Sequence, residues 1–319
     1  MRIAVIGCGS IGCRHLRNLQ SLGYTDLVVF DPMPEARRRV QSEFSVVSYA
    51  TLDQVWRQQP DVVLITAPSH LHVELALTAA RSGCHLFIEK PLSHSLDGLN
   101  TLCIEIQRQG LVTMVACNMR FHPGPAMVKR LIEERLIGQV IAARIQAGSY
   151  LPRWRPQQDY HQSYSASPEW GGAILDCIHE IDLALWYFGP ASVVGAAHLP
   201  AGAIGLKTDG LAEIILRHKS NVLTNVHLNF VQRDYRRTCQ VIGGEGTIYW
   251  DFSERQVNVY GVDGELAQRL PEPDGWQLNQ MYINELEHFL QAVKQGANTV
   301  NPVSEGIATL EVALMARQM

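Results

Sequence analysis

The chain has no CxxC pair, no apolar run long enough to span a bilayer, no low-complexity tract and no surplus of positive charge. Its seven cysteines (8, 13, 84, 103, 117, 177 and 239) form an odd set, most of them in apolar or helical surroundings. Such a set reads as reduced thiols of a cytosolic protein and not as a disulfide framework. Lysine and arginine total 27 against 31 acidic residues, for a net charge of -4 and a pI near 6.3. Phosphate neutralisation needs clustered cations, so a general nucleic-acid binder is disfavoured. Met1-Arg2 leads straight into an apolar run and a glycine loop, so neither a signal peptide nor a membrane span is expected, and the expected location is the cytoplasm. His179-Glu180 does not extend to HExxH because position 183 is Leu, so no metal site is indicated.

What is present suits two domains, since 319 residues at 46% hydrophobic can bury two ordinary cores. Arg2 to Ile6 is a short apolar run, followed by Gly7-Cys8-Gly9-Ser10-Ile11-Gly12 and a helical stretch through about Leu22. The order is strand, glycine loop, helix. Gly7 permits the turn, Gly9 lets a pyrophosphate approach, Gly12 allows close packing, and the N–H groups around Ser10 and Ile11 open a helix N-terminus to phosphate. A second strand, Leu27 to Phe30, ends in Asp31, placed to accept hydrogen bonds from ribose hydroxyls and to repel a 2'-phosphate. The pattern therefore predicts a dinucleotide cofactor, NAD in preference to NADP. Arg37, Arg38 and Arg39 lie along the next helix and read as a solvated face.

Strand and helix signals keep alternating through Val46–Tyr49, Asp61–Thr66, His85–Ile88 and Leu111–Cys117, which predicts a mostly parallel sheet. Thr66, Ala67 and Pro68 end one strand and should line the nicotinamide side of the crevice. His70 and His72 follow as cofactor-proximal residues that cap or pack. Glu89-Lys90-Pro91 ends another strand. Ligands of open α/β sheets bind at the carboxyl ends of the strands, so the Lys90 amine is placed for chemistry and Glu89 can hold it.

Gly7 to Gly12, Asp31, Pro68 with His72, and Glu89-Lys90-Pro91 together resemble the glucose-fructose oxidoreductase, inositol dehydrogenase and MocA family (Gfo/Idh/MocA). The resemblance extends through Asn118-Met119-Arg120-Phe121, Gly171-Gly172 and Asp176-Cys177-Ile178-His179-Glu180-Ile181-Asp182. It implies an α/β protein: an N-terminal Rossmann domain with a doubly wound parallel sheet, about residues 1–120, and a C-terminal α+β domain on an open-faced, mainly antiparallel sheet, about residues 121–319. It also implies a homodimer or homotetramer formed through that sheet. Many members separate the helical Asp and His by four positions, whereas Asp176 and His179 are three apart, a shorter version similar to members associated with cell-surface sugar biosynthesis. Either spacing keeps the two on one helix face.

Ala173 to Phe188 has helical period, with Ile174, Ile178, Ile181 and Leu185 in one stripe and Asp176, His179 and Glu180 opposite. Histidine exchanges a proton near neutral pH and an adjacent carboxylate can orient it. Lys90, Asp176 and His179 are thus the expected catalytic residues, and Asp182 supports the helix. The stretch Tyr150 to Pro156 with Asp159, Tyr160 and Tyr164 is a loop rich in arginine and aromatics. Arg153, Trp154, Arg155, Tyr160 and Tyr164, together with Arg120, are expected to bind substrate. From Val193 on, alternating runs predict an antiparallel sheet, with helices Gln280–Gln295 and Ser304–Met319 available to cover one face. The expected activity is reversible oxidation of a secondary hydroxyl of a sugar, sugar acid or nucleotide-sugar. Two rivals are hydrolysis or elimination through transient oxidation, and a non-catalytic sensor of the same fold.

Overall fold

The computed structural model describes residues 1–319. Two compact units divide the chain: Met1–Asn118 with Asn279–Ile307, and Met119–Leu278 with Ala308–Met319. No helix in either is long and apolar enough to cross a membrane.

The first unit alternates β1 (Ile3–Ile6), α1 (Ser10–Ser21), β2 (Leu27–Phe30), α2 (Pro34–Phe44), β3 (Val47–Tyr49), α3 (Leu52–Trp56), β4 (Val62–Ile65), α4 (His72–Arg81), β5 (His85–Glu89), α5 (Leu99–Gln109) and β6 (Thr113–Ala116). Its sheet has the order β3-β2-β1-β4-β5-β6, with every pair parallel. Every residue of β1 and β4 is fully buried. Continuous Val, Ile and Leu runs without alternation are what strands covered on both faces require. The strand order reverses between β1 and β4, and the segments leaving those two strands carry Gly7 and Thr66. In open α/β sheets that switch point is where ligands bind.

The second unit begins with α6 (Pro123–Glu133) and β7 (Val140–Tyr150). There follow α7 (Ala173–Asp176), α8 (His179–Phe188), β8 (Ala191–Pro200), β9 (Asp209–His218), β10 (Leu223–Asn229), β11 (Val231–Gly243), β12 (Thr247–Asp251), β13 (Gln256–Tyr260) and β14 (Leu266–Pro271). The eight strands lie in the order β14-β13-β12-β11-β7-β10-β9-β8. Only β7 and β10 run parallel. β7 is central but carries a weak strand signal, because Ala142, Ala143, Ala147 and Gly148 interrupt its β-branched residues. β9 shows the expected period of two: Ala212, Ile214 and Leu216 are buried while Glu213, Ile215 and Arg217 are exposed. Helices α6, α7 and α8 pack on this sheet.

The helix α9 (Gln280–Gln295) belongs to the first unit, where it packs on α1 and β6, and so does not cover the second sheet as expected. α10 (Val303–Gln318) gives residues 303–307 to the first unit and the rest to the second.

Candidate active site

The glycine loop of the first unit has the geometry its sequence predicts. Gly7 has a φ of +100°, and a Cβ on Gly12 would stand 2.0 Å from the Gly7 carbonyl oxygen, so only glycine lets α1 pack this close. A Cβ on Gly9 would meet nothing within 4 Å. Gly9 is the N-cap of α1 and supplies no side-chain cap. The first-turn N–H groups around Ser10 and Ile11 are therefore on offer to an anion. Asp31 is 8% exposed at the end of β2. Its two carboxylate oxygens accept the N–H groups of Cys8 at 2.8 Å and Met33 at 2.9 Å, which fixes the carboxylate beside the loop. An uncapped helix N-terminus, a fixed carboxylate and open space over Gly9 together fit a dinucleotide.

The arginines of α2 depart only in part from the expected solvated face, since Arg38 and Arg39 are exposed and Arg37 is half-buried. Arg38 is exposed and pairs with Glu35. Arg37 instead donates to the Asp31 carbonyl at 2.7 Å, and Arg39 reaches back to the Cys8 carbonyl at 2.5 Å. Helical spacing hid this, because a long side chain leans toward the N-terminus of its own helix.

At the ends of β4 and β5, Thr66 hydroxyl donates to the Gly7 carbonyl at 2.6 Å. His72 is 1% exposed, with one ring nitrogen 2.8 Å from the Ala67 carbonyl oxygen and the other 3.0 Å from that of Pro91. It thereby ties the Ala67-Pro68 segment to the segment carrying Lys90. Burial lowers its pKa, so a packing role fits it better than proton exchange. His70 meets His94 edge to face, with ring centroids 6.5 Å apart. The Lys90–Pro91 peptide is cis and Lys90 is half-buried. Glu89 accepts the Lys90 N–H at 3.2 Å, and its other oxygen lies 2.7 Å from Nε2 of the fully buried His15. His15 escaped sequence reasoning, since a histidine within α1 carries no motif of its own.

In the second unit the expected single helix is two. α7 ends at Asp176, and α8 begins at His179, with Cys177 at φ -92° and ψ 33° between them. No proline or glycine marks that break. The polar face is also not a solvated one: Asp176 is 3%, His179 6%, Glu180 0% and Asp182 0% exposed. Glu180 is paired with Arg237 at 2.8 Å. Asp182 takes the fork of Arg120, whose Nε and Nη2 donate at 2.9 and 2.8 Å. Arg120, expected to bind substrate, is thus turned inward and holds α8.

The loop after β7 contains three short 3₁₀ turns, at Leu151–Arg153, Tyr160–Gln162 and Tyr164–Ala166. Trp154 is 41% exposed and donates to Ser149 at 2.9 Å. Arg153 and Arg155 are exposed, the first with its guanidinium 5.8 Å from the Tyr150 ring centre. Tyr160 donates to the Ile204 carbonyl at 3.0 Å. Tyr164 donates to Oδ1 of Asp176. The loop therefore brings one of its predicted residues, Tyr164, onto a predicted catalytic carboxylate. All seven cysteines are free, and burial, then Asp31, pushes the Cys8 thiol up to about 12, leaving it inert beside the loop.

Residues 1–117 match the model of an oxidoreductase family with an NAD-binding Rossmann fold, and residues 126–249 match the Gfo/Idh/MocA C-terminal domain. Scyllo-inositol 2-dehydrogenase (NAD(+)) of Bacillus subtilis is 25% identical over 99% of this chain and 93% of its own length. Myo-inositol 2-dehydrogenase of Thermotoga maritima is 28% identical over 93% of this chain and 89% of its own. Among solved structures, a levoglucosan dehydrogenase in complex with NADH and levoglucosan superposes with a TM-score of 0.90, at 20% identity over 100% of this chain and 96% of that one. Two family models in register with the two units, over a glycine cradle built as described, make this chain a member of the Gfo/Idh/MocA family of NAD-binding oxidoreductases.

Proposed function

We propose that this protein is an NAD-dependent dehydrogenase that reversibly oxidises a secondary hydroxyl of a sugar, sugar acid or nucleotide-sugar. The observation that carries the reading is the dinucleotide cradle of the first unit, where Gly9 stands open at the uncapped start of α1 and Asp31 is fixed beside the loop. Bound NAD supplies the acceptor for the carbon-bound hydrogen and its electron pair. The protein must then hold the hydroxyl and remove its proton. Lys90 donates a hydrogen bond to the reacting oxygen, His179 takes the proton on its imidazole, and Asp176 orients His179 or a neighbouring hydroxyl.

Asp31 favours NAD over NADP, because a carboxylate with both oxygens already fixed by backbone N–H groups cannot swing away from a 2'-phosphate. Arg153, Trp154 and Arg155 on the loop after β7, with Tyr160 and Tyr164, recognise the sugar-like substrate, and exposed guanidinium forks suit a carboxylate or phosphate on it. The assembly is a homodimer or homotetramer through the open face of the second sheet, in the cytoplasm.

The test is NADH formation by purified protein with NAD, and separately NADP, against inositols, free sugars, uronic acids and nucleotide-sugars. Net NADH with any member of that panel is the expected result. Product formation with no net NADH would replace the dehydrogenase by a catalyst that regenerates its cofactor in each turnover.

A further inference from the structure

Two residues outside every motif, Asp209 and Arg317, hold the segment that carries Asp176. Asp209 opens β9 and is 6% exposed. Its Oδ2 accepts the N–H of Ile174, in the first turn of α7, at 2.9 Å. Gly172, with φ +101°, lies directly on this carboxylate: a Cβ there would stand 2.1 Å from Oδ1. Arg317, near the end of α10, places its Nε 3.2 Å from the same Oδ1. Its two terminal nitrogens donate to the carbonyls of Pro168 at 2.7 Å and Glu169 at 3.2 Å. One guanidinium thus neutralises a buried carboxylate and grips the loop that leads to Gly171-Gly172.

Within the loop, Gly171 N–H donates to the Ser167 carbonyl and Gly172 N–H to that of Ser165, at 3.0 and 3.1 Å, and the N–H groups of Glu169 and Trp170 reach the Ser167 hydroxyl at 3.3 and 3.4 Å. Asp176 sits one turn beyond, its N–H on the Gly172 carbonyl at 3.0 Å, and Tyr164 at the loop's start donates to its carboxylate. Residues 164–176 therefore close on themselves through Tyr164 and Asp176, and are pinned to the sheet through Asp209 and Arg317.

We propose that Arg317 and Asp209 are positioning residues for Asp176 and Tyr164. The inference rests on the reading of Asp176 as part of the active site. Removing Arg317 leaves the Asp209 charge buried and unpaired, a state the loop relieves by moving away from the carboxylate. A misplacement of about 1 Å at a reacting group, caused from a distance, can cost about 100-fold in rate.

The test uses full-length Arg317→Ala, Arg317→Lys, Asp209→Asn and Asp176→Asn proteins, with NAD and the best substrate of the panel, myo-inositol being the first probe. For Arg317→Ala, kcat should fall about tenfold or more while KM for NAD changes by less than about twofold, with Arg317→Lys in between. Amide hydrogen exchange over residues 164–176 should accelerate about tenfold while β10 to β12 keep their protection. Wild-type kcat in Arg317→Ala, unchanged exchange over 164–176, or acceleration throughout the second unit would each overturn the proposal. An inactive Asp176→Asn beside a fully active Arg317→Ala would sink the positioning role alone. A fully active Asp176→Asn would instead sink the reading of Asp176 on which it rests.

Discussion

Lys90 and His179 carry the sharpest residue-scale test. Lys90→Ala and His179→Ala should each lower kcat about 100-fold or more, with steady-state NADH formation as the readout, because a positioned acid–base group is worth that much. His122 gives a prediction about stability. It is the N-cap of α6, its Nδ1 accepts the Gly124 N–H at 3.1 Å, and it is 1% exposed. Burial, then Arg237 and Arg255, hold its pKa down at about 3, although Glu272 lies 3.5 Å from Nε2. Glu272 is itself paired with Arg255 at 2.9 Å, which blunts its pull on the imidazole. The folded state thus binds fewer protons than the unfolded chain between about 6.5 and about 3, and stability falls as pH falls through that window. At about pH 5 the loss from this one group is about 2 kcal/mol. A His122→Asn variant keeps an N-cap acceptor and should lose that part of the pH dependence in urea titrations at pH 7 and pH 5.

Among elements, α1 and α8 are held in opposite ways. α1 approaches the sheet so closely that Gly12→Ala drives a Cβ to 2.0 Å from the Gly7 carbonyl. Its expected outcome is a loss of NAD binding, measured by calorimetry, of about tenfold or more. α8 is held by charge: Arg120 and Asp182 have side chains only 2% and 0% exposed. Arg120→Ala leaves Asp182 buried and unpaired and should destabilise the fold by about 3–5 kcal/mol. Substrate KM in the surviving folded fraction should stay near wild type, whereas a substrate-binding Arg120 would raise KM with little loss of stability.

For the whole molecule, the second sheet exposes Ile215 and Leu223 on adjacent strands, 41% and 44% accessible. If that face joins copies of the chain, light scattering should give a multiple of 35.6 kDa, and Ile215→Asp should shift the mass toward one copy. A single-copy mass for the unaltered chain would remove the proposed assembly. The sequence by itself determined the first sheet and its cradle. Strand, glycine loop and helix are local patterns, and the positive φ of Gly7 and the close approach of Gly12 to its carbonyl are set within that one loop. Helix α9 was legible residue for residue, but its unit was not, because an amphipathic stripe names a buried face without naming what buries it. Only the tertiary structure decided the state of the charged residues in the second unit. Glu180, Asp182 and Arg120 look alike in sequence whether exposed or buried, and their partners lie at long range: Arg120 is 62 residues from Asp182, and Glu180 is 57 from Arg237. Asp209 and Arg317 belong to the same class. Their meaning comes from a buried carboxylate that needs a cation, and which cation reaches it is a property of the folded chain.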